Sequence, residues 1–347
     1  MARVVVTGAA GYLASWVVKL LLEQGHTVHG TVRSLKDSRK LAHLQRLSEV
    51  HPGQLVLFEA DLLSAQGFEA AMQDCSVVLH TASPYKLGPS ADPERELIAP
   101  AMNGTRHVLE AVNHTASVQR VVITSSIVAM YGDSDELQSR PGQVLNETDV
   151  NTTSTVQSNP YALSKTRAEA LAWDMQAQQK RWSLVSVHPG AIFGPSLSQR
   201  DDATSVQLLR QFLDGSFSQG VPRLWLGTVD VRDVAQAHVR AALQPTASGR
   251  YIVVGETLRL LEIAQRLRQS HPALGAKLPT KEVPKWLMWL IAPMAGMTRS
   301  YVQHNVGRPL QFNTARSQAE LAVTYRPAAV TLSEHVLQLV ADGLAPA

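Results

Sequence analysis

The sequence predicts an α/β protein, a doubly wound parallel sheet joined to a smaller, mostly helical lobe. Three observations point there. The chain opens with the β-branched run Val4-Val5-Val6, a glycine-bearing turn and an apolar stretch over 15–24 that Gly25 closes. Further short β-branched or apolar runs follow at 55–59, 77–80 and 120–126, and a helical pattern continues over 166–175. From about Ser196 the pattern also becomes helical and less regular, with Gly and Pro interruptions. The expected division is therefore 1–195 for the sheet domain, with 223–256 returning to it, and 196–222 with 257–347 for the lobe.

Size and composition agree with that division. A chain of 347 residues corresponds to about two domains. Hydrophobic residues at 45% and charged residues at 18% exclude a disordered chain. Lys+Arg at 32 against Asp+Glu at 29 leaves a dispersed +3, too little for a nucleic-acid-binding face. The one cysteine, Cys75, excludes an internal disulfide framework and a multi-cysteine metal site. Met1-Ala2-Arg3 carries no signal-peptide pattern, and no apolar run reaches the ~18 residues of a membrane span. A soluble cytoplasmic protein, monomer or homodimer, with no bound metal, is the expectation.

The first strand, turn and helix, with a further strand over 27–32, fit one βαβ unit. Gly8 permits the tight turn, Gly11 lets the backbone approach a phosphate, and Ala14 keeps helix and strand close. Amides at the helix start can then hold a pyrophosphate. The second strand ends in Val32-Arg33-Ser34, with Lys36, Arg39 and Lys40 behind it. An acidic reader of an unphosphorylated ribose is missing there, since Asp37 lies several residues late. A guanidinium instead favours the 2′-phosphate of NADP, although a solvated basic helix start reads similarly.

The third strand, 55–59, leads to Asp61-Leu62. Asp61 could accept from an adenine amino group or cap the next helix. The fourth, 77–80, ends at His80, read as core or turn in preference to a metal ligand, and passes into Thr81-Ala82-Ser83-Pro84. The fifth begins at Arg120 and ends in Thr124-Ser125-Ser126. The polar stretch 133–158 is expected to be a mobile loop beside the site. Then comes Asn159-Pro160-Tyr161-Ala162-Leu163-Ser164-Lys165. Pro160 suits a first helical turn, and Tyr161 and Lys165, four apart, share one face. An ammonium beside a phenol favours phenolate and makes the tyrosine a usable acid at working pH.

These motifs, in this order, resemble the extended short-chain dehydrogenases/reductases, nearest the dihydroflavonol 4-reductase group and its microbial aldehyde and ketone reductase relatives. The likeness runs from Val4 to about Gly255, with a weaker tail to Tyr325-Arg326-Pro327. It implies a Rossmann fold and a catalytic set of Ser126, Tyr161 and Lys165. Tyr161 would give the proton, Ser126 would orient the carbonyl, and Lys165 would bind ribose and tune Tyr161. Counting back from Tyr161 favours Ser126 over Ser125. A fourth, structural asparagine is not placed. Cofactor contacts implied are Thr7, Gly8, Gly11, Tyr12 and Leu13 at the turn, Arg33 and Lys40 at the 2′-phosphate, and Asp61 and Leu62 at adenine. Thr81, Ala82, Ser83 and Thr124 would pass the ribose and nicotinamide, Tyr161 and Lys165 would contact the cofactor as well, and Pro189 and Ile192 would lie in the loop at the nicotinamide amide. Asp230 to Ala235 resembles the family's later helix start.

The reaction implied is reduction of a ketone or aldehyde to an alcohol by NADPH. Alternatives on the same frame are a hydroxysteroid dehydrogenase or a sugar-nucleotide epimerase or dehydratase; a dinucleotide-sensing regulator without catalysis is a third. The epimerases usually keep NAD, which Arg33 opposes. Tyr85, Ile127, Met130, Tyr131, Phe193 and Leu197 are expected, with Ser126, at the mouth of an apolar substrate pocket; core packing explains Ile127 and Met130 equally well. The apolar run from Trp286 to Met294 is too short to span a membrane and is expected to be a buried lobe helix or an exposed partner patch.

Overall fold

The computed structural model describes residues 1–83, 91–199 and 203–345. Along the chain come β1 (Arg3–Thr7), α1 (Tyr12–Glu23), β2 (Thr27–Val32), α2 (Ser38–Val50), β3 (Leu55–Glu59), α3 (Phe68–Met72) and β4 (Val77–His80). Next are α4 (Ala99–His114), β5 (Arg120–Thr124), α5 (Pro160–Ala177), β6 (Ser183–Pro189), β7 (Ala191–Phe193), α6 (Thr204–Leu213), β8 (Val221–Pro222) and β9 (Trp225–Asp230). The rest is α7 (Val231–Leu243), β10 (Gly249–Val253), β11 (Glu256–Arg259), α8 (Leu260–Ser270), β12 (Glu282–Val283), α9 (Lys285–Ile291), α10 (Arg299–Asn305), α11 (Ala315–Glu320) and α12 (Ala328–Ala341).

Seven strands form one parallel sheet in the order β10-β6-β5-β4-β1-β2-β3. The period of two in β1 explains why it is central. Val4 and Val6 face the core shared with α1 and α7, while Val5 faces the opposite core with Val108, Leu109 and Trp182. A strand buried on both faces must be apolar throughout, which is why three valines run together. Chain direction across the sheet reverses between β1 and β4, and the crevice outside their carboxyl ends is where an open α/β sheet takes its ligand.

The smaller lobe has its own core, in which Leu209 and Phe212 of α6, Leu267 of α8 and Val336 of α12 meet. β7 and β9, which run parallel, and β11, antiparallel to β9, make a three-stranded sheet beside it. The expectation placed everything after 257 in this lobe. Leu321 and Val323, just beyond α11, instead fill the core of the large sheet.

Two further expectations change. The segment 133–158 is not a bare loop. Asn151 Nδ2 donates to the carbonyls of Val128 (2.8 Å) and Tyr131 (2.9 Å), Arg140 pairs with Asp149, and Leu145 is hydrogen-bonded to the Gln311 and Asn313 backbone. The apolar run at 286–294 is divided: Met288 and Ala292 are buried, while Trp286 is 70% and Met294 91% exposed. Among the described residues no helix is long and apolar enough to cross a membrane.

Candidate active site

The turn after β1 is built for close approach. Gly8 adopts φ +65°, and a Cβ there would lie 3.0 Å from that of Ala82. Its N–H donates to Thr31 Oγ1 (3.1 Å) and its carbonyl accepts from Gly11 N (2.7 Å). α1 starts at Tyr12, three residues earlier than the sequence pattern suggests, with Gly11 at its N-cap. No side chain caps it and no acidic residue stands in its first turn. The positive end of the helix therefore faces the crevice without a counter-group of its own.

Thr7 has a different place from the one expected. Its hydroxyl accepts from Ala82 N (3.1 Å) and lies 2.8 Å from His80 Nδ1, and its carbonyl accepts from Thr81 Oγ1 (2.6 Å). The buried threonine is a clamp between the ends of β1 and β4. His80 is a core residue, as expected. Burial, with the Lys165 charge adding to it, pushes its pKa down to about 3, so the ring is neutral. Among the described residues no cluster of metal-ligating side chains occurs. The side chains of Tyr12 and Leu13 are also structural: Tyr12 donates its hydroxyl proton to the Gly194 carbonyl, and Leu13 is buried in the main core. Only their backbone faces remain for a phosphate.

At the end of β2, Arg33 is exposed and has no ion pair with any described residue. Lys40 is exposed but pairs with Asp37 (3.2 Å), and Asp37 caps α2 by accepting from Lys40 N (3.2 Å). That capping role takes Asp37 out of contention as a ribose reader. Asp61 Oδ1 accepts from Leu63 N (3.0 Å), so it caps its own turn. Leu62 lies against Gly104, where a Cβ would come within 3.0 Å of the leucine Cβ.

The reactive helix begins as its sequence dictates. Asn159 accepts from Ala162 N (3.1 Å), Pro160 fills the first position, and Tyr161 and Lys165 stand one turn apart behind it. Lys165 Nζ donates to Ser83 Oγ (3.2 Å) and reaches the Thr124 carbonyl (3.5 Å). Burial pushes its pKa down to about 8, against an upward pull from Glu169. A cleft is lined by Leu62, Ala82, Ser83, Thr124, Ser125, Lys165 and Glu169. Ser126 and Tyr161 are outside that lining, both half-buried, on the turn after β5 and the first turn of α5.

The two serines are distinguished by their partners. Ser125 is buried and donates to Glu169 Oε2 (2.8 Å). Ser126 accepts a long bond from Val128 N (3.4 Å), leaving its hydroxyl proton directed by whatever binds beside it. Thr124 turns its side chain away from the cleft to His238 Nε2 (2.7 Å) and offers only its carbonyl.

The expected apolar pocket is largely core. Phe193 is 1% exposed and packs in the lobe core against Val206 and Leu332. Ile127, Met130 and Tyr131 are buried together with Leu145, Ile252 and Leu310. Pro189 is buried at the end of β6, Ile192 packs on the main core, and Leu197 is half-buried. Tyr85 lies outside the described residues. Missed altogether were Asn151, which holds the turn after Ser126, and Glu169, one turn beyond Lys165. The helical spacing could have shown Glu169; nothing local marks Asn151.

The family model for the NAD dependent epimerase/dehydratase family matches residues 4–255. Cinnamoyl-CoA reductase CAD2 of Medicago truncatula is 38% identical over 280 residues, covering 80% of this chain and 83% of the relative. Cinnamoyl-CoA reductase 2 of Arabidopsis thaliana is 36% identical over 348 residues, covering 99% and 94%. Among solved structures, yeast methylglyoxal/isovaleraldehyde reductase Gre2 complexed with NADPH is 28% identical, with a TM-score of 0.79 and 99% of each chain covered. Gre2 of Candida albicans, also with NADPH, is 27% identical with a TM-score of 0.81, again covering 99% of each chain. The chain belongs to the NAD dependent epimerase/dehydratase family, within the extended short-chain dehydrogenases/reductases.

Proposed function

We propose that this protein is an NADPH-dependent carbonyl reductase, reducing a ketone or aldehyde to an alcohol, and that it works in the cytoplasm as a monomer or homodimer. One observation carries the reading: the ammonium of Lys165 sits in the crevice between Ser83 and the Thr124 carbonyl, one helical turn from Tyr161. The two plant relatives and the two Gre2 proteins are reductases, and both Gre2 structures hold NADPH.

The residues present fit that cofactor. Gly8 lets the turn after β1 pack against Ala82, where a side chain would collide, and the uncapped start of α1 offers amides to a diphosphate. Arg33, exposed and without an ion pair among the described residues, is a bidentate donor at the end of β2 suited to a 2′-phosphate. Lys165 would hold the ribose hydroxyls. When bound, NADPH supplies a hydride to the carbonyl carbon. The phenol of Tyr161 gives its proton to the carbonyl oxygen, completing the alcohol. Lys165 favours the phenolate left behind, which lowers the cost of that transfer. Ser126 donates to the same oxygen and fixes its position.

The test is NADPH consumption across a panel of aldehydes and ketones, with Tyr161→Phe as the control. Removing the acid should lower kcat by about 10²–10⁴-fold while leaving NADPH binding intact. Binding of NADPH with no turnover anywhere in the panel would instead favour a dinucleotide sensor.

A further inference from the structure

On the reactive helix itself, one turn beyond Lys165 and lining the same cleft, stands a buried carboxylate. Tyr161, Lys165 and Glu169 stand at intervals of one turn on α5 and share one face. Glu169 Oε2 accepts from Ser125 Oγ (2.8 Å). Its Oε1 accepts from Arg250 Nε on β10 (2.8 Å) and Trp173 Nε1 (3.2 Å), and lies 3.0 Å from His188 Nε2. His188, buried on β6, meets the backbone carbonyl of Ser126 through Nδ1 at 3.0 Å. A carbonyl only accepts, so Nδ1 carries a proton, and Nε2 pairs with the Glu169 carboxylate as a donor only in the imidazolium form. Arg250 also donates to the carbonyls of Glu147 (3.1 Å) and Asp149, in the segment that leads to Tyr161.

A carboxylate this deep is tolerated only when it is fully paired. Here the pairing reaches the reactive positions: the end of β5 through Ser125 and His188, and the approach to α5 through Arg250. We propose that Glu169 is a positioning residue for the reduction. Its negative charge keeps Lys165 an ammonium, and its hydrogen bonds hold the strand end that carries Ser126. The inference rests on the reductase reading and adds to it a residue that acts through Lys165 and through the strand end carrying Ser126.

The surrounding charges set the sign. Glu169 acts on Lys165 from its own helix, on which Tyr161 stands one turn before it, and His80 lies near it at the end of β4 as a neutral ring. His188 and Arg250 face Glu169 from β6 and β10. The Arg167–Glu94 pair (3.2 Å) lies on the exposed side of α5. Burial alone would raise the Glu169 carboxyl, but His188 and Arg250 hold it well below the usual carboxylate range, so it stays an anion. Burial drives Lys165 towards the neutral amine, to about 8, and Glu169 opposes this. Without that anion, Lys165 loses its proton at lower pH.

The experiment is the pH dependence of NADPH affinity, read by quenching of protein fluorescence, for wild type and Glu169→Gln. In the wild type, affinity should decline as pH rises through the Lys165 titration near 8. The variant should decline with a midpoint lower by roughly one pH unit. Glutamine keeps the shape but leaves the Arg250 charge unmatched; should that variant fail to fold, Glu169→Gln with Arg250→Gln removes both charges and should shift the midpoint the same way. A merely structural carboxylate would lower the melting temperature and leave the midpoint at its wild-type value, and that result in a folded variant overturns the proposal. Failure of the wild type to bind NADPH would overturn the reductase reading together with this inference.

Discussion

The carboxyl end of the large sheet and the face where the smaller lobe meets it are built on different principles. At the sheet end, backbone geometry places the groups: a left-handed Gly8, an uncapped helix start, and a four-residue interval between Tyr161 and Lys165. At the lobe, side-chain packing decides, and residues far apart in the chain share each contact. Phe193 shows the difference. It lies only a few residues past a strand end of the large sheet, yet it belongs to the core formed by α6, α8 and α12. Groups placed by backbone geometry can be read along a chain; groups placed by packing require the partner that fills the opposite side.

The contrast can be broken most forcefully at Phe193. As a lobe-core residue, Phe193→Ala should cost about 3–5 kcal/mol of stability in denaturant unfolding. Were it a pocket residue, the substitution would raise KM and leave stability nearly unchanged. At the sheet end the effect should fall on binding. Arg33→Ala should weaken NADPH by about 10–100-fold, the value of a charged hydrogen bond, and leave NADH affinity unaltered. Equal losses for both dinucleotides would remove Arg33 from the 2′-phosphate.

A smaller effect tests the buried histidines of both regions. Burial pushes His80 down to about 3, and His238 and His335 to about 4 each. These lie below the ordinary histidine value near 6.5, so the unfolded chain takes up protons first. The stability they contribute is complete above about pH 6.5 and is lost as pH falls from there towards the folded values, by at most about 1.4 kcal/mol per histidine per pH unit. Urea midpoints that do not change between neutral pH and the mildly acid range would contradict neutral buried rings.

Much of the sheet end was legible because its signals are local. Val4-Val5-Val6, Gly8 and the Tyr161–Lys165 interval each describe a short piece of backbone. Other assignments there needed the fold. Thr7 and Thr124 look like cleft hydroxyls, but their side chains are taken by His80 and His238, 73 and 114 residues away. Met130 and Tyr131 come just after the reactive strand and read as pocket residues, yet Leu145, Ile252 and Leu310 close over them from later segments. Glu169 stood at a readable interval, but its importance comes from His188 and Arg250, which lie on other strands.

The central claim is that the crevice between β1 and β4 holds NADPH with its reacting end at Tyr161. A crystal structure with NADP⁺ bound tests this most directly. The account predicts the diphosphate over the Gly8 turn, the 2′-phosphate on Arg33 and the nicotinamide beside Tyr161. A dinucleotide bound elsewhere, or one whose nicotinamide points away from Tyr161, would contradict it.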